Sequence, residues 1–148
     1  MNDQDRVLEI EFILLNLGLN KMVQIQVEFE VRKHFRDSEE IRLVLIRLLQ
    51  ERHLQIARSD DEKWINKFSV EWQVQHCSHW YNLGTYELHL FLTESGAALL
   101  EKLKTQIKVE RQFYLTESNK QMIWELDNDE YLTSLNTFCP PAGGMDVA

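Results

Sequence analysis

The stretch Phe68–Leu92 constrains the fold more than any other part of the chain. Phe68, Val70, Trp72 and Val74 alternate with Ser69, Glu71, Gln73 and Gln75; Tyr86, Leu88, Leu90 and Leu92 alternate with Glu87, His89 and Phe91. A period of two places the two sets on opposite faces of a strand. Asn82-Leu83-Gly84 lies between the runs and supplies turn chemistry. The spacing predicts a long antiparallel β-hairpin with one buried face. Its second strand runs into Thr93-Glu94-Ser95, where a hydroxyl N-cap and a carboxylate at the positive end open a helix. Ala98, Leu99, Leu103 and Ile107 give that helix its apolar row.

Upstream, Val7, Ile10, Leu14 and Leu17 form one helical row, widened by Leu8, Phe12 and Leu15, and Gly18 is a candidate stop. Residues 22–35 admit two readings. Val23, Ile25, Val27, Phe29 and Val31 alternate with Gln and Glu, which favours a strand; Met22, Ile25 and Phe29 also fit a helical row. The strand is the preferred expectation. Asp37 then opens a second helix with Glu40 at capping-box spacing. Ile41, Leu45 and Leu48 mark one row of it, and Leu43, Val44, Ile46 and Leu49 make it apolar on most sides, as for a central core helix. His53–Ala57 follows as a short strand. Beyond Ile107, Gln112–Leu115 and Gln121–Leu126 read as short strands and Asp129–Leu135 as a helical turn or two. Cys139-Pro140-Pro141-Ala142-Gly143-Gly144 reads as a flexible tail.

The expected architecture is therefore α+β, a single domain over residues 1–138 with a tail at 139–148. A chain of 148 residues, 44% hydrophobic and with two prolines, has the profile of one ordinary globular domain. Such a domain folds without a disulfide or metal, so Cys77 and Cys139 are expected to be free thiols. Met1-Asn2-Asp3-Gln4-Asp5 is unlike a secretory leader. No apolar run approaches the ~20 residues a bilayer span requires. A cytoplasmic location, with no membrane contact, is the expectation.

Net charge is −8, and residues 109–148 hold seven Asp/Glu against two Lys/Arg. Most of the excess thus lies in the last quarter of the chain. Such a surface repels nucleic acid and favours basic partners, or simply keeps the chain soluble.

Two segments resemble the winged-helix superfamily. Ser38-Glu39-Glu40-Ile41-Arg42-Leu43-Val44-Leu45-Ile46-Arg47-Leu48-Leu49-Gln50-Glu51-Arg52-His53-Leu54 looks like its third helix running into a strand. Leu90-Phe91-Leu92-Thr93-Glu94-Ser95-Gly96-Ala97-Ala98-Leu99-Leu100 is similar to the strand-to-helix junction after the wing. The resemblance spans residues 5–105, about two thirds of the chain, and implies winged-helix-like helices, a long hairpin and an added C-terminal segment. It also implies a DNA-binding regulator that places its third helix in the major groove beside a basic wing.

The residues carry that function poorly. Arg42, Arg47 and Arg52 are five apart, ~140° around a helix from one to the next. Glu39 and Glu51 are spaced to pair with Arg42 and Arg47. The wing tip His79–Thr85 has no Lys or Arg to neutralise phosphate. Arg32, Lys33 and Arg36 are the one basic cluster and the nucleic-acid candidates.

His76, Cys77, His79 and His89 are residues of the kind zinc takes, but the usual paired spacings are absent, and they read as ordinary strand residues. A thiolate nucleophile also needs an oxyanion hole, and no motif supplies one. The reading is a non-enzyme with no metal and no cofactor. Trp80, Tyr81 and Tyr86, with Asp127, Asp129 and Glu130, are the candidate protein-contact residues; the other reading of the hairpin aromatics is packing against the acidic C-terminal segment. The profile fits an acidic, non-catalytic module engaging a basic protein, in the manner of immunity or antitoxin inhibitors. A winged-helix transcriptional regulator is the alternative. Oligomeric state is not readable from these residues.

Overall fold

The computed structural model describes residues 3–22, 27, 30–31, 33–57, 68–77 and 88–126. Among these are five helices and a two-stranded antiparallel sheet: α1 (Asp3–Leu19), α2 (Ser38–Gln50), β1 (Leu54–Ala57), α3 (Val70–Cys77), β2 (His89–Leu92), α4 (Glu94–Gln106) and α5 (Val109–Leu126). They pack as one body.

α1 is the hub. Its sequence from Ile10 to Leu15 is apolar except for Glu11, and every one of these residues is buried. A helix apolar around most of its circumference must be covered on most sides, and α1 packs against β1, β2, α2, α4 and α5. It does not stop at Gly18. It runs to Leu19 and ends on Lys21, whose φ is 55°. The Lys21 and Met22 amides donate to the Gly18 and Leu17 carbonyls, both at 3.1 Å, which is a Schellman closure with Lys21 in place of the usual glycine. Gly18 serves instead where the sheet crosses the helix: a Cβ there would lie 2.5 Å from Leu54 Cδ2 and 3.2 Å from the Leu92 nitrogen.

The strand preferred over residues 22–35 is not found among the described residues of that stretch. Val27, Glu30 and Val31 have helical backbone, and the Phe35 amide donates to the Val31 carbonyl at 3.0 Å. Val27 and Val31, four apart as on one helix face, both reach the core; Ile25 and Phe29 of the helical row lie outside the described residues. α2 opens as expected: the Asp37 carboxylate accepts from the Glu39 and Glu40 amides at 3.1 and 3.2 Å. It closes with a second Schellman pair, Arg52 to Leu49 at 3.1 Å and His53 to Leu48 at 2.9 Å, with Arg52 at φ 62°.

The hairpin needs the largest correction. β2 exists, but its partner is β1, in the register Leu54↔Leu92, Gln55↔Phe91, Ile56↔Leu90 and Ala57↔His89. The expected first strand is the helix α3. Ser69 decides it: its hydroxyl accepts from the Trp72 amide at 3.1 Å, an N-cap bond. Phe68 then stacks on Trp72, four residues on, with ring centroids 4.2 Å apart. Residues 78–87, the proposed turn, lie outside the described residues.

α3 has a structural task. The Gln73 side chain is buried; its Oε1 accepts from the Ile56 amide at 2.8 Å and its Nε2 donates to the Phe68 carbonyl at 3.0 Å. Gln73 thus occupies the open edge of β1. The far edge of β2 is closed by Met22, whose carbonyl accepts from the Leu90 amide at 2.8 Å. A two-stranded ribbon is marginal alone, and open edges invite pairing with other chains. Here both edges are engaged by groups that belong to no strand. Gln73→Ala leaves the Ile56 amide without its acceptor and should cost about 1–3 kcal/mol. Urea denaturation reads the loss, with faster exchange of the Ile56 amide as its local sign. A loss below about 0.5 kcal/mol would show that water takes over the bond.

The last correction concerns the C-terminal strands. Gln112–Leu115 and Gln121–Leu126 both lie in α5. The turn before it is built at Ile107, where α4 ends in extended backbone. Gln112 reaches back and donates to the Lys104 and Ile107 carbonyls, each at 2.6 Å, covering acceptors that α4 leaves open. No helix among the described residues is long and apolar enough to cross a membrane.

Candidate interaction surfaces

α5 has two unlike faces. Inward, Arg111 and Leu115 lie against the body. Arg111 donates to both oxygens of Glu9 on α1, at 2.6 and 3.0 Å, a bidentate arrangement in which geometry adds to charge. Glu9 is buried, and its hydrogen bonds raise the Arg111 pKa further above its ordinary value. The guanidinium also lies over the Tyr114 ring, 5.3 Å from its centroid. Two further links tie α1 to α2: Arg6 donates to Glu40 at 2.6 and 2.8 Å, and Arg47 to Glu11. The helices are thus clamped by crossed ion pairs as well as by the apolar core.

Outward, α5 presents Val109, Phe113 and Tyr114, which are 77%, 68% and 50% exposed. Val109 and Phe113 are four apart and share a face. Glu110 and Glu117 flank them and are exposed. This is the one place among the described residues where two exposed aromatic side chains adjoin. Leu19 and Leu43 are also exposed but stand on other helices.

The candidates read from sequence divide sharply. Trp80, Tyr81, Tyr86, Asp127, Asp129 and Glu130 lie outside the described residues, as do Arg32, His79, Cys139 and the tail at 139–148. Lys33 is present but pairs with Glu30 at 3.2 Å, and Arg36 is exposed. Arg42 pairs with Glu39, and Arg47 with Glu51 at 3.3 Å, as their spacing implied. His76 and Cys77 close the helix α3 and are not the strand residues expected. His89 instead donates from Nδ1 to the Lys21 carbonyl at 2.9 Å. Among the described residues no group of three or more His, Cys, Asp or Glu is placed to hold a metal ion.

One histidine does approach a hydroxyl. His53 Nδ1 lies 3.1 Å from Ser95 Oγ, with Glu51 3.9 Å from Nε2. The contact is a cap rather than a nucleophile and base. Ser95 Oγ and Thr93 Oγ1 both donate to the Arg52 carbonyl, at 3.0 and 2.6 Å. With its proton committed there, Ser95 is an acceptor for the imidazole N–H.

The residues missed from sequence are Glu9, His34, Val109, Arg111, Phe113 and Tyr114. The i, i+4 pair Val109/Phe113, interleaved with Glu110 and Glu117, is the available signal. No known protein family, curated protein or solved structure matches the chain.

Proposed function

We propose that this chain is a non-catalytic protein-binding module that engages a basic partner through the outward face of α5. The exposure of Val109, Phe113 and Tyr114 on a helix whose other face is fastened to α1 carries the reading. Clustered exposed apolar side chains mark interaction sites, and aromatic residues supply most interface anchors. Glu110 and Glu117 at the rim, in the most acidic quarter of the chain, suit Lys or Arg around an apolar centre. An immunity-type or antitoxin-type inhibitor is the form such a module takes at this size and charge. With the cognate partner in hand, Phe113→Glu should weaken binding at least about tenfold, the loss expected of an anchor, and added salt should slow association. Unchanged affinity for Phe113→Glu, with the fold intact by circular dichroism, would contradict the reading.

A second reading is a winged-helix DNA-binding regulator. Its support is the element order α1, α2, β1, α3, β2, α4, with helical backbone at residues 27, 30 and 31 before α2 and α3 standing between the two strands. Against it, Arg42, Arg47 and Lys33 each pair with a carboxylate. It requires duplex binding at ~50 mM salt that is lost on replacing Lys33 and Arg36 with Ala.

A further inference from the structure

Beneath the outward face of α5 lies an ionisable side chain that the binding surface does not use. The His34 side chain is 2% exposed, and neither ring nitrogen has a hydrogen-bond partner. Its ring meets Tyr114 of α5 edge-on, with centroids 5.1 Å apart. Glu30 Oε1 is 3.9 Å from Nε2, beyond hydrogen-bond reach.

The charges around His34 come from every neighbouring element. Glu30 and Lys33 share its own turn. Glu9 faces it from α1 and Arg111 from α5. Arg6, Arg36, Asp37 and Glu40 line the cavity that adjoins it. Most arrive already paired: Arg111 with Glu9, Lys33 with Glu30, Arg6 with Glu40. A proton on His34 would therefore add a net cation to a buried side chain that, among the described residues, has no acceptor within hydrogen-bond reach, the Glu30 carboxylate at 3.9 Å being already paired with Lys33, so the desolvation cost is high. Burial is the largest influence on the imidazole and lowers its pKa below the ordinary 6.5; Arg111 and Lys33 lower it further, and Glu9 opposes them.

We infer that His34 is a pH-sensitive latch for the C-terminal helix: neutral, it lets Tyr114 and α5 close over it, and protonated, it drives α5 away. The sense follows from proton linkage. The closed state binds fewer protons than the open one, so the full stability of α5 is present above about pH 6.5. It is lost as pH falls from there through the closed-state value. The latch does not depend on which partner α5 meets.

Hydrogen exchange of the full chain, corrected for intrinsic rates, tests it between pH 7.5 and 5. Protection over residues 109–121 should fall severalfold on acidification while residues 41–49 of α2 keep theirs. His34→Phe, which keeps a ring against Tyr114 but cannot take a proton, should abolish the fall. Equal protection across the range, or an undiminished fall in His34→Phe, would overturn the latch. Should that variant fail to fold, an NMR titration of wild-type His34 decides: a midpoint below 6.5 supports the latch, and one at or above 6.5 overturns it.

Discussion

Gly96→Ala is expected to destabilise the protein by about 3 kcal/mol, the upper part of the range for forcing an atom into a closed site. A Cβ at position 96 would lie 2.0 Å from the His53 carbonyl oxygen and 2.9 Å from its carbon. Both are backbone atoms, so no side chain can rotate away. His53 cannot yield readily either, because its carbonyl accepts from the Thr93 amide at 3.2 Å and its own amide closes α2 on Leu48. The first turn of α4 would have to leave the end of β1. In urea the midpoint should drop by about 1–2 M at the slopes usual for small domains. Gly18→Ala is the milder comparison: its closest obstacle is the end of the Leu54 side chain, which can turn. A loss under about 1 kcal/mol for Gly96→Ala would contradict the packing of α4 on the α2–β1 junction.

The second large effect is at Arg111. Arg111→Ala removes both hydrogen bonds from the buried Glu9 carboxylate. Stranding one member of such a pair costs about 3 kcal/mol; the partial exposure of Arg111 places the expectation there rather than higher. Replacing both, Glu9→Met with Arg111→Leu, should recover most of the loss, since a packed apolar pair needs no charge compensation. Denaturation of wild type, Glu9→Met, Arg111→Leu and the double variant reads the cycle. Losses that simply add would show that Glu9 and Arg111 act independently and that α5 is held by its apolar contacts alone.

What sequence revealed was the local chemistry. Asp37 and Thr93 cap helices because a side-chain oxygen two or three residues from an open amide suffices, and nothing distant competes. The pairs Arg42–Glu39 and Arg47–Glu51 were readable for the same reason. Phe68–Val74 alternates in sequence yet folds as a helix, because Ser69 as a cap and the Phe68/Trp72 stack at i, i+4 outweigh the period of two. The remaining misses are tertiary. Glu9 and Arg111 are 102 residues apart, and Gln73 looks like any polar residue until β1 needs an edge partner. Phe113 falls in the expected strand Gln112–Leu115, and only the seating of α5 on α1 through Arg111 turns it outward.

The most direct test of the binding proposal is site-specific photo-crosslinking in the native cell, with the reactive residue at position 113, at position 109 and, as control, at exposed position 101 on α4. The proposal predicts one protein adduct of the same mass from 113 and 109, resistant to nuclease and absent from 101. It further predicts that the identified partner binds the purified chain and loses that binding with Phe113→Glu. Equal adducts at all three positions, or none at 113, would contradict it.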